Sequence, residues 1–297
     1  MLKTNRNQLI CQSIIGEITS PLGGVNPYRI NPEGHSDVYP GVGGITYNLR
    51  IGDRACGLFA DHVEPGVSIS NFNQFQNQPG PNRALNLFSC VGNRAKVVSG
   101  EAQGKEGRVT GKHGGIDHVL IDFEPDILED LVIGDKIQIK GFGCGLKLPD
   151  FPGIKTMSLD PDLLEVMDCR INDQNRLEIG VTHLVPARIM GSGIGHSHSY
   201  SGDYDIQLFD SPTVEEYGLA DLRIGDIVAI TDADATYGRI YRTGGVVIAV
   251  IVHSDCVLAG HGPGAMVIMA SPQGEITPRI NQEANLKNYL FKMKNQK

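Results

Sequence analysis

Leu49-Arg-Ile-Gly-Asp53 recurs unchanged as Leu222-Arg-Ile-Gly-Asp226 and, with one difference, as Leu131-Val-Ile-Gly-Asp135. Glycine followed by aspartate between apolar residues is turn chemistry, because the glycine takes a positive φ and the carboxylate accepts backbone N–H groups. The two later copies extend outward: Asp117-His-Val-Leu-Ile-Asp122 aligns with Asp205-Ile-Gln-Leu-Phe-Asp210. Each is followed by an acidic, leucine-containing connection and then by the turn. The repeat predicts a strand, a short helical or looped crossover, an Ile-Gly-Asp turn and another strand. Asp53, Asp135 and Asp226 are thereby assigned to the scaffold rather than to chemistry.

Composition agrees with a strand-and-turn protein. Among 297 residues there are 37 glycines, 16 prolines and no tryptophan, with 40% hydrophobic and 20% charged residues. The expected fold is mainly β (α+β), two related β-rich halves of barrel or sandwich type with few short helices. A net charge of −8 disfavours general affinity for nucleic acid or anionic membranes. Six scattered cysteines without a CxxC pair, and an N-terminus lacking an apolar core, fit free thiols in a cytoplasm. The run Gly245-Val-Val-Ile-Ala-Val-Ile-Val252 is too short to span a bilayer and reads as a buried strand.

The halves are expected at residues 1–148 and 149–297, with Leu148-Pro-Asp-Phe-Pro-Gly153 as linker. Residues 1–34 read as an arm or edge strand, and the amide-rich stretch 70–86 as a long surface loop, a lid or subunit contact. Cys90 to Lys112 reads as a hairpin with Gly104-Lys-Glu-Gly107 at its turn. Asp160-Pro-Asp-Leu-Leu-Glu-Val-Met167 starts like a capped helix with proline in its first turn. The tail from Gln282 is predicted as a polar amphipathic helix, solvated or contacting another subunit of a homo-oligomer.

Ligand-type side chains are densest in Gly191-Ser-Gly-Ile-Gly-His-Ser-His-Ser-Tyr-Ser-Gly-Asp-Tyr-Asp205. His196 and His198, and likewise Asp203 and Asp205, have the period-two spacing that places both members on one side of a strand. These four are the expected ligands of a divalent metal (zinc, manganese or calcium). His253-Ser-Asp255 and Gly260-His-Gly-Pro-Gly264 follow, supplying His261, His253 and Asp255 as candidate catalytic groups; the glycines around His261 admit a close substrate. His35, Asp37, Asp61, His62 and Glu64 form the expected rim of the substrate pocket. All these residues are also ordinary turn material. No G-x-S-x-G elbow, P-loop or dinucleotide fingerprint in a βαβ setting is present.

Over nearly its whole length the chain resembles a prokaryotic family known only as a domain of unknown function, through Gly-His-Ser-Asp at 34–37, Asp-His-Val-Glu-Pro-Gly-Val at 61–67, Gly-Asp-Tyr-Asp-Ile at 202–206 and Gly-His-Gly-Pro-Gly at 260–264. That likeness implies a two-part β-rich protein and no activity. A shorter stretch, Val185-Pro-Ala-Arg-Ile-Met-Gly191 with Gly202-Asp-Tyr-Asp-Ile206, is similar to the acetamidase/formamidase family of β-rich amide hydrolases associated with metal ions. It implies amide hydrolysis and carries over only Asp205 and Arg188, the latter toward the substrate pocket. Lys96 to Gly111 looks like the KOW segment of SH3-like barrels, whose turn contacts RNA in ribosomal and elongation proteins; with a weak basic excess, no flanking aromatics and an acidic remainder, the likeness implies a fold and nucleic acid is not the expected partner. The readings are therefore a metal-assisted hydrolase of a small amide or related carbonyl compound, a non-catalytic small-ligand or partner-binding protein, and, third, an RNA-binding hairpin.

Overall fold

The computed structural model describes residues 2–23, 26–72 and 80–295. The first half carries strands β1 (Gln12–Ile18), β2 (Arg29–Ile30), β3 (Ser36–Asp37), β4 (Ile45–Thr46), β5 (Gly66–Ser70), β6 (Arg94–Val97), β7 (Glu106–His113), β8 (His118–Asp122) and β9 (Lys136–Gly141), with helices α1 (Gly80–Phe88) and α2 (Pro125–Asp130). Six of these strands run in the order β1-β9-β6-β7-β8-β5, and β5 pairs back onto β1. The result is a closed antiparallel ring with β4 appended to β5. Closure removes exposed edges, so β1 is a ring member rather than the arm read from the sequence. Ile18, Val67, Ile69, Val97, Val109, Ile121 and Ile137 fill it.

The second half contains β10 (Lys155–Thr156), α3 (Pro161–Val166), β11 (Cys169–Ile171), β12 (Leu177–Val181), β13 (His183–Pro186), β14 (Tyr204–Asp205), α4 (Ser211–Tyr217), β15 (Ile227–Asp234), β16 (Ile240–His253), β17 (Gly264–Ser271), β18 (Ile276–Ile280) and α5 (Leu286–Asn295). Its main sheet runs β10-β17-β16-β15-β13, with β14 on β17, and a smaller sheet runs β11-β12-β18. Val247 to Val252 of β16 are buried without alternation. A strand covered on both faces reads as a continuous apolar run, and here ring strand β7 packs against β16 and β17.

The three repeated turns are built alike. Gly52, Gly134 and Gly225 have φ of 92°, 91° and 83°. Asp53, Asp135 and Asp226 each accept the N–H three residues earlier, from Arg50 (2.8 Å), Val132 (3.1 Å) and Arg223 (2.9 Å). The two identical turns also bond to each other across the halves: Gly52 N donates to Ile224 O at 2.7 Å and Ile224 N to Asp53 O at 2.8 Å.

Four sequence expectations are corrected here. Leu148, Phe151 and Ile154 are buried in the large core, so the Pro/Gly-rich segment between the halves is packed rather than a free linker. Residues 80–86 of the expected loop lie in α1, which runs on to Phe88, because Asn82 and Asn86 spend their amides on the carbonyl of Asp117 and Asn82 also accepts from Asn71 N; residues 73–79 lie outside the described residues. The β6–β7 connection spans residues 98–105, with Glu106 already in the strand. Helix α5 buries Leu286, Tyr289, Leu290 and Met293 and packs on α3, so its apolar stripe serves the core of its own chain.

Candidate functional site

Where the ring meets the second sheet, side chains from both halves line a cavity of about 290 Å³ that includes His62, His113, Asp117, Asp203, Asp205, Arg239 and His261. His113 ends β7, Asp203 and Asp205 flank and end β14, His253 ends β16, and His261 precedes β17. Strand ends deliver polar groups to the cavity while the strand bodies remain apolar.

The inner wall is buried. His113, Asp203 and His253 are 7%, 5% and 1% exposed. They offer one ligand atom each, all within 4.8 Å of one another. His113 Nδ1 lies 2.6 Å from Glu64 Oε1, and an ionised carboxylate only accepts, so Nδ1 carries the proton and Nε2 presents its lone pair. Glu64 is itself fixed by His118 Nδ1 (3.0 Å), Ser68 Oγ (2.5 Å) and Gly43 N (2.6 Å). His253 Nδ1 faces the Ser254 carbonyl at 2.8 Å, which commits that nitrogen as the donor.

His253 Nε2 is then 2.7 Å from Asp203 Oδ2. Among the described residues, Asp203 Oδ2 is nonetheless a buried oxygen without a well-directed hydrogen bond, whereas Oδ1 accepts from Gly114 N at 2.7 Å. A carboxylate oxygen beside two imidazole nitrogens, each ring anchored through its other nitrogen or a backing carboxylate, is the donor arrangement of a metal site. Space is provided by Gly264, where a Cβ would collide with both Asp203 Oδ2 and His253 Nε2.

The outer wall is more open. His261 Nδ1 lies 2.9 Å from Asp205 Oδ2, and His62 Nε2 lies 3.5 Å from the same oxygen and 3.1 Å from His261 Nδ1. His62 Nδ1 is backed by Asp61 Oδ1 at 3.3 Å, and that oxygen also accepts from Cys256 Sγ at 2.8 Å. His62 has a left-handed backbone, φ 54°, held by its N–H on Asp255 O. Such strain in a non-glycine residue persists only where the surroundings over-determine it.

The electrostatics follow from this packing. Burial works against every charge here, yet contacts with His113 and His118 hold Glu64 well below the usual carboxylate range. Against the same burial, His62 and Cys256 hold Asp61 down at about 2, and His261 and His62 hold Asp205 low. His62 is pushed up to about 12 by Asp205 and Asp61 against its own burial, and His253 is raised by Asp203. The carboxylates therefore stay ionised, each beside a histidine whose positive form it favours, and a bound cation can take the place of those imidazolium protons.

The structure brings together Asp61, His62, Glu64, Asp203, Asp205, His253 and His261 of the residues singled out from sequence. Of the others only His196 reaches the cavity, at its rim. His196 is exposed on the cavity rim with Nδ1 against the His198 carbonyl at 3.1 Å, and neither His196 nor His198 belongs to a donor group, because residues 191–202 form a loop and period-two spacing has no strand to act on. Asp255 turns away to accept from Gly57 N at 2.8 Å. His35 and Asp37 are exposed on the β2–β3 ribbon and its approach, with His35 facing Glu33 at 3.6 Å. Arg188 faces Glu216 at 3.4 Å on the surface. Sequence reasoning did not single out His113 and His118; they are register partners across β7 and β8, and two histidines flanking one tight turn is the available signal.

A solved structure described as "Crystal structure of TM1086" is 46% identical, with a TM-score of 0.91 over 97% of this chain and 99% of that one. Comparison with curated proteins finds no match, and the likeness to acetamidases and formamidases gains no support from these comparisons. Among the described residues no helix is long and apolar enough to cross a membrane, and all six cysteines are free. Family models described as "Domain of unknown function (DUF4438), N-terminal" and "C-terminal" match residues 28–165 and 167–290, so the chain belongs to the DUF4438 family.

Proposed function

We propose that the cavity is the metal centre of a hydrolase acting on a small carbonyl compound such as an amide. One observation carries the reading: Asp203 Oδ2 is buried without a well-directed hydrogen bond, 2.7 Å from the nitrogen of a histidine whose other nitrogen is committed to a carbonyl. An uncompensated buried carboxylate oxygen is costly, and a divalent cation held by His113, Asp203 and His253 removes that cost. The two imidazoles favour zinc over calcium, which takes oxygen ligands, with manganese between them in a mixed set of nitrogen and oxygen donors. Such an ion supplies Lewis acidity, polarising a carbonyl and making water acidic enough to attack near neutral pH.

The chain's own residues supply the rest. Glu64 and the Ser254 carbonyl fix the tautomers of His113 and His253. Asp117, His196 and His261 stand on the open side of the cavity, where a leaving group takes up its proton. A cavity of about 290 Å³ suits a small substrate. The RNA reading gains little, since Arg94 of the hairpin is paired with Glu106 and Arg108 donates to the Gly92 carbonyl.

The test is elemental analysis of protein purified without chelator, together with turnover on a panel of small amides and esters. Bound zinc or manganese and a turnover that both disappear in Asp203→Asn are expected. Bound metal without turnover on any of the panel would favour the non-catalytic ligand-binding alternative, and no metal with no thermal shift on adding zinc or manganese would end the proposal.

A further inference from the structure

Asp205 does not share the surroundings of Asp203, although they are two residues apart. Its two oxygens face different groups: Oδ1 lies 3.8 Å from His253 Nε2 on the inner wall, and Oδ2 lies 2.9 Å from His261 Nδ1 and 3.5 Å from His62 Nε2 on the outer wall. With the 3.1 Å separation of His62 Nε2 and His261 Nδ1, the three outer atoms form a triangle with edges of 2.9, 3.1 and 3.5 Å. Bonds of about 2.0–2.2 Å at tetrahedral angles set donor atoms about 3.3–3.6 Å apart, so the longest edge already fits and the other two need to open by a few tenths of an ångström. Two imidazoles and a carboxylate oxygen are also a complete set of protein ligands for an ion that keeps one position open.

The backing is duplicated as well. Within the four residues Asp61-His62-Val63-Glu64, Asp61 stands behind His62 as Glu64 stands behind His113. A carboxylate behind each ligating imidazole fixes its tautomer and raises its basicity. Ring centroids of His62 lie 5.6 Å from His113, 5.2 Å from His253 and 5.0 Å from His261.

We propose that the cavity holds two divalent cations, the second bound by His62 Nε2, His261 Nδ1 and Asp205 Oδ2, with the Asp205 carboxylate bridging it to the ion on His113, Asp203 and His253. This rests on the reading that the cavity is a metal centre. A bridging carboxylate sets paired ions about 3.5–4 Å apart, the spacing at which two cations clamp the attacking and leaving oxygens of one substrate. His261 then acts as a ligand, and proton transfer on the open side falls to Asp117 and His196.

Stripped protein is titrated with zinc by calorimetry, with elemental analysis after gel filtration, and in parallel loaded with manganese for electron paramagnetic resonance. Two zinc equivalents per chain are expected, the second weakened at least about tenfold by His261→Gln, together with an exchange-coupled manganese spectrum. The spectrum needs no substitution, and His261 is on the open wall, so misfolding does not decide the outcome. A single equivalent that Asp203→Asn abolishes, with an uncoupled six-line spectrum, overturns the second ion and leaves the hydrolase reading standing. Two equivalents insensitive to His261→Gln also overturn the proposal, since the second ion would then lie elsewhere. No equivalents remove both readings.

Discussion

The inner and outer walls of the cavity use the same donor chemistry in different surroundings. His113, Asp203 and His253 are closed in by strand ends and by the glycine at 264, whereas His261 sits on a glycine-flanked loop with a third of its side chain exposed. A rigid, buried site holds its geometry whether or not a ligand is present, while an open one must be ordered by what binds. Preorganisation of this kind separates affinities even when the ligand sets match. The inner wall should therefore bind first and the outer wall second.

The largest effect that would break this contrast is Gly264→Ala. The added methyl meets the ligand atoms of Asp203 and His253 together, so zinc content should fall to background, with a stability loss of about 1–3 kcal/mol from overpacking. Elemental analysis and urea unfolding would measure both; a Gly264→Ala protein that still loads fully would show that the inner wall is not the site. Stripping the ion is the next test. Zinc returned at about 100 times its Kd should restore about 2.7 kcal/mol of stability if it binds only the folded chain, read as a rise in melting temperature.

Smaller still is Glu64→Gln, which keeps the shape behind His113 but removes the charge. Loss of a backing carboxylate typically costs about 10–100-fold in metal affinity. Competitive titration against a chromophoric chelator should show that loss in the tighter phase while the weaker phase moves less. The smallest expected effect is His196→Ala. Its imidazole bonds to its own loop, so zinc affinity should stay within about twofold, and a larger loss would mean that the 191–202 loop closes over the cavity when metal binds.

Residues 191–205 show why the scaffold was more legible than the site. The Ile-Gly-Asp turns could be read directly because each is a local device: a positive-φ glycine and a carboxylate reaching the N–H three residues back. Helix α3 was equally local, with Asp160 capping Asp162 N at 2.8 Å. Ligand convergence is not local. His196 and His198 are close in sequence yet stay at the rim, while Asp203 meets His113 and His253 from strands far away in the chain. Asp205 and its repeat counterpart Asp117 both line the cavity, the first buried and the second exposed. Amide-rich α1 was missed for a related reason, since its asparagines are satisfied by the Asp117 carbonyl, a partner that becomes visible only once the chain has folded.

The closed ring also sets an order of events during synthesis. Strand β1 is made first but pairs with β5 and β9, so the ring is completed only when residues up to Gly141 have emerged. From then on all the ring's strands are available to pair while the second half is still being made. His113 and Glu64 are in place at that stage, whereas Asp203, His253 and His261 arrive much later. The cavity thus assembles only once β14, β16 and the segment before β17 have been made and have docked on the ring, so its donor set is incomplete until then.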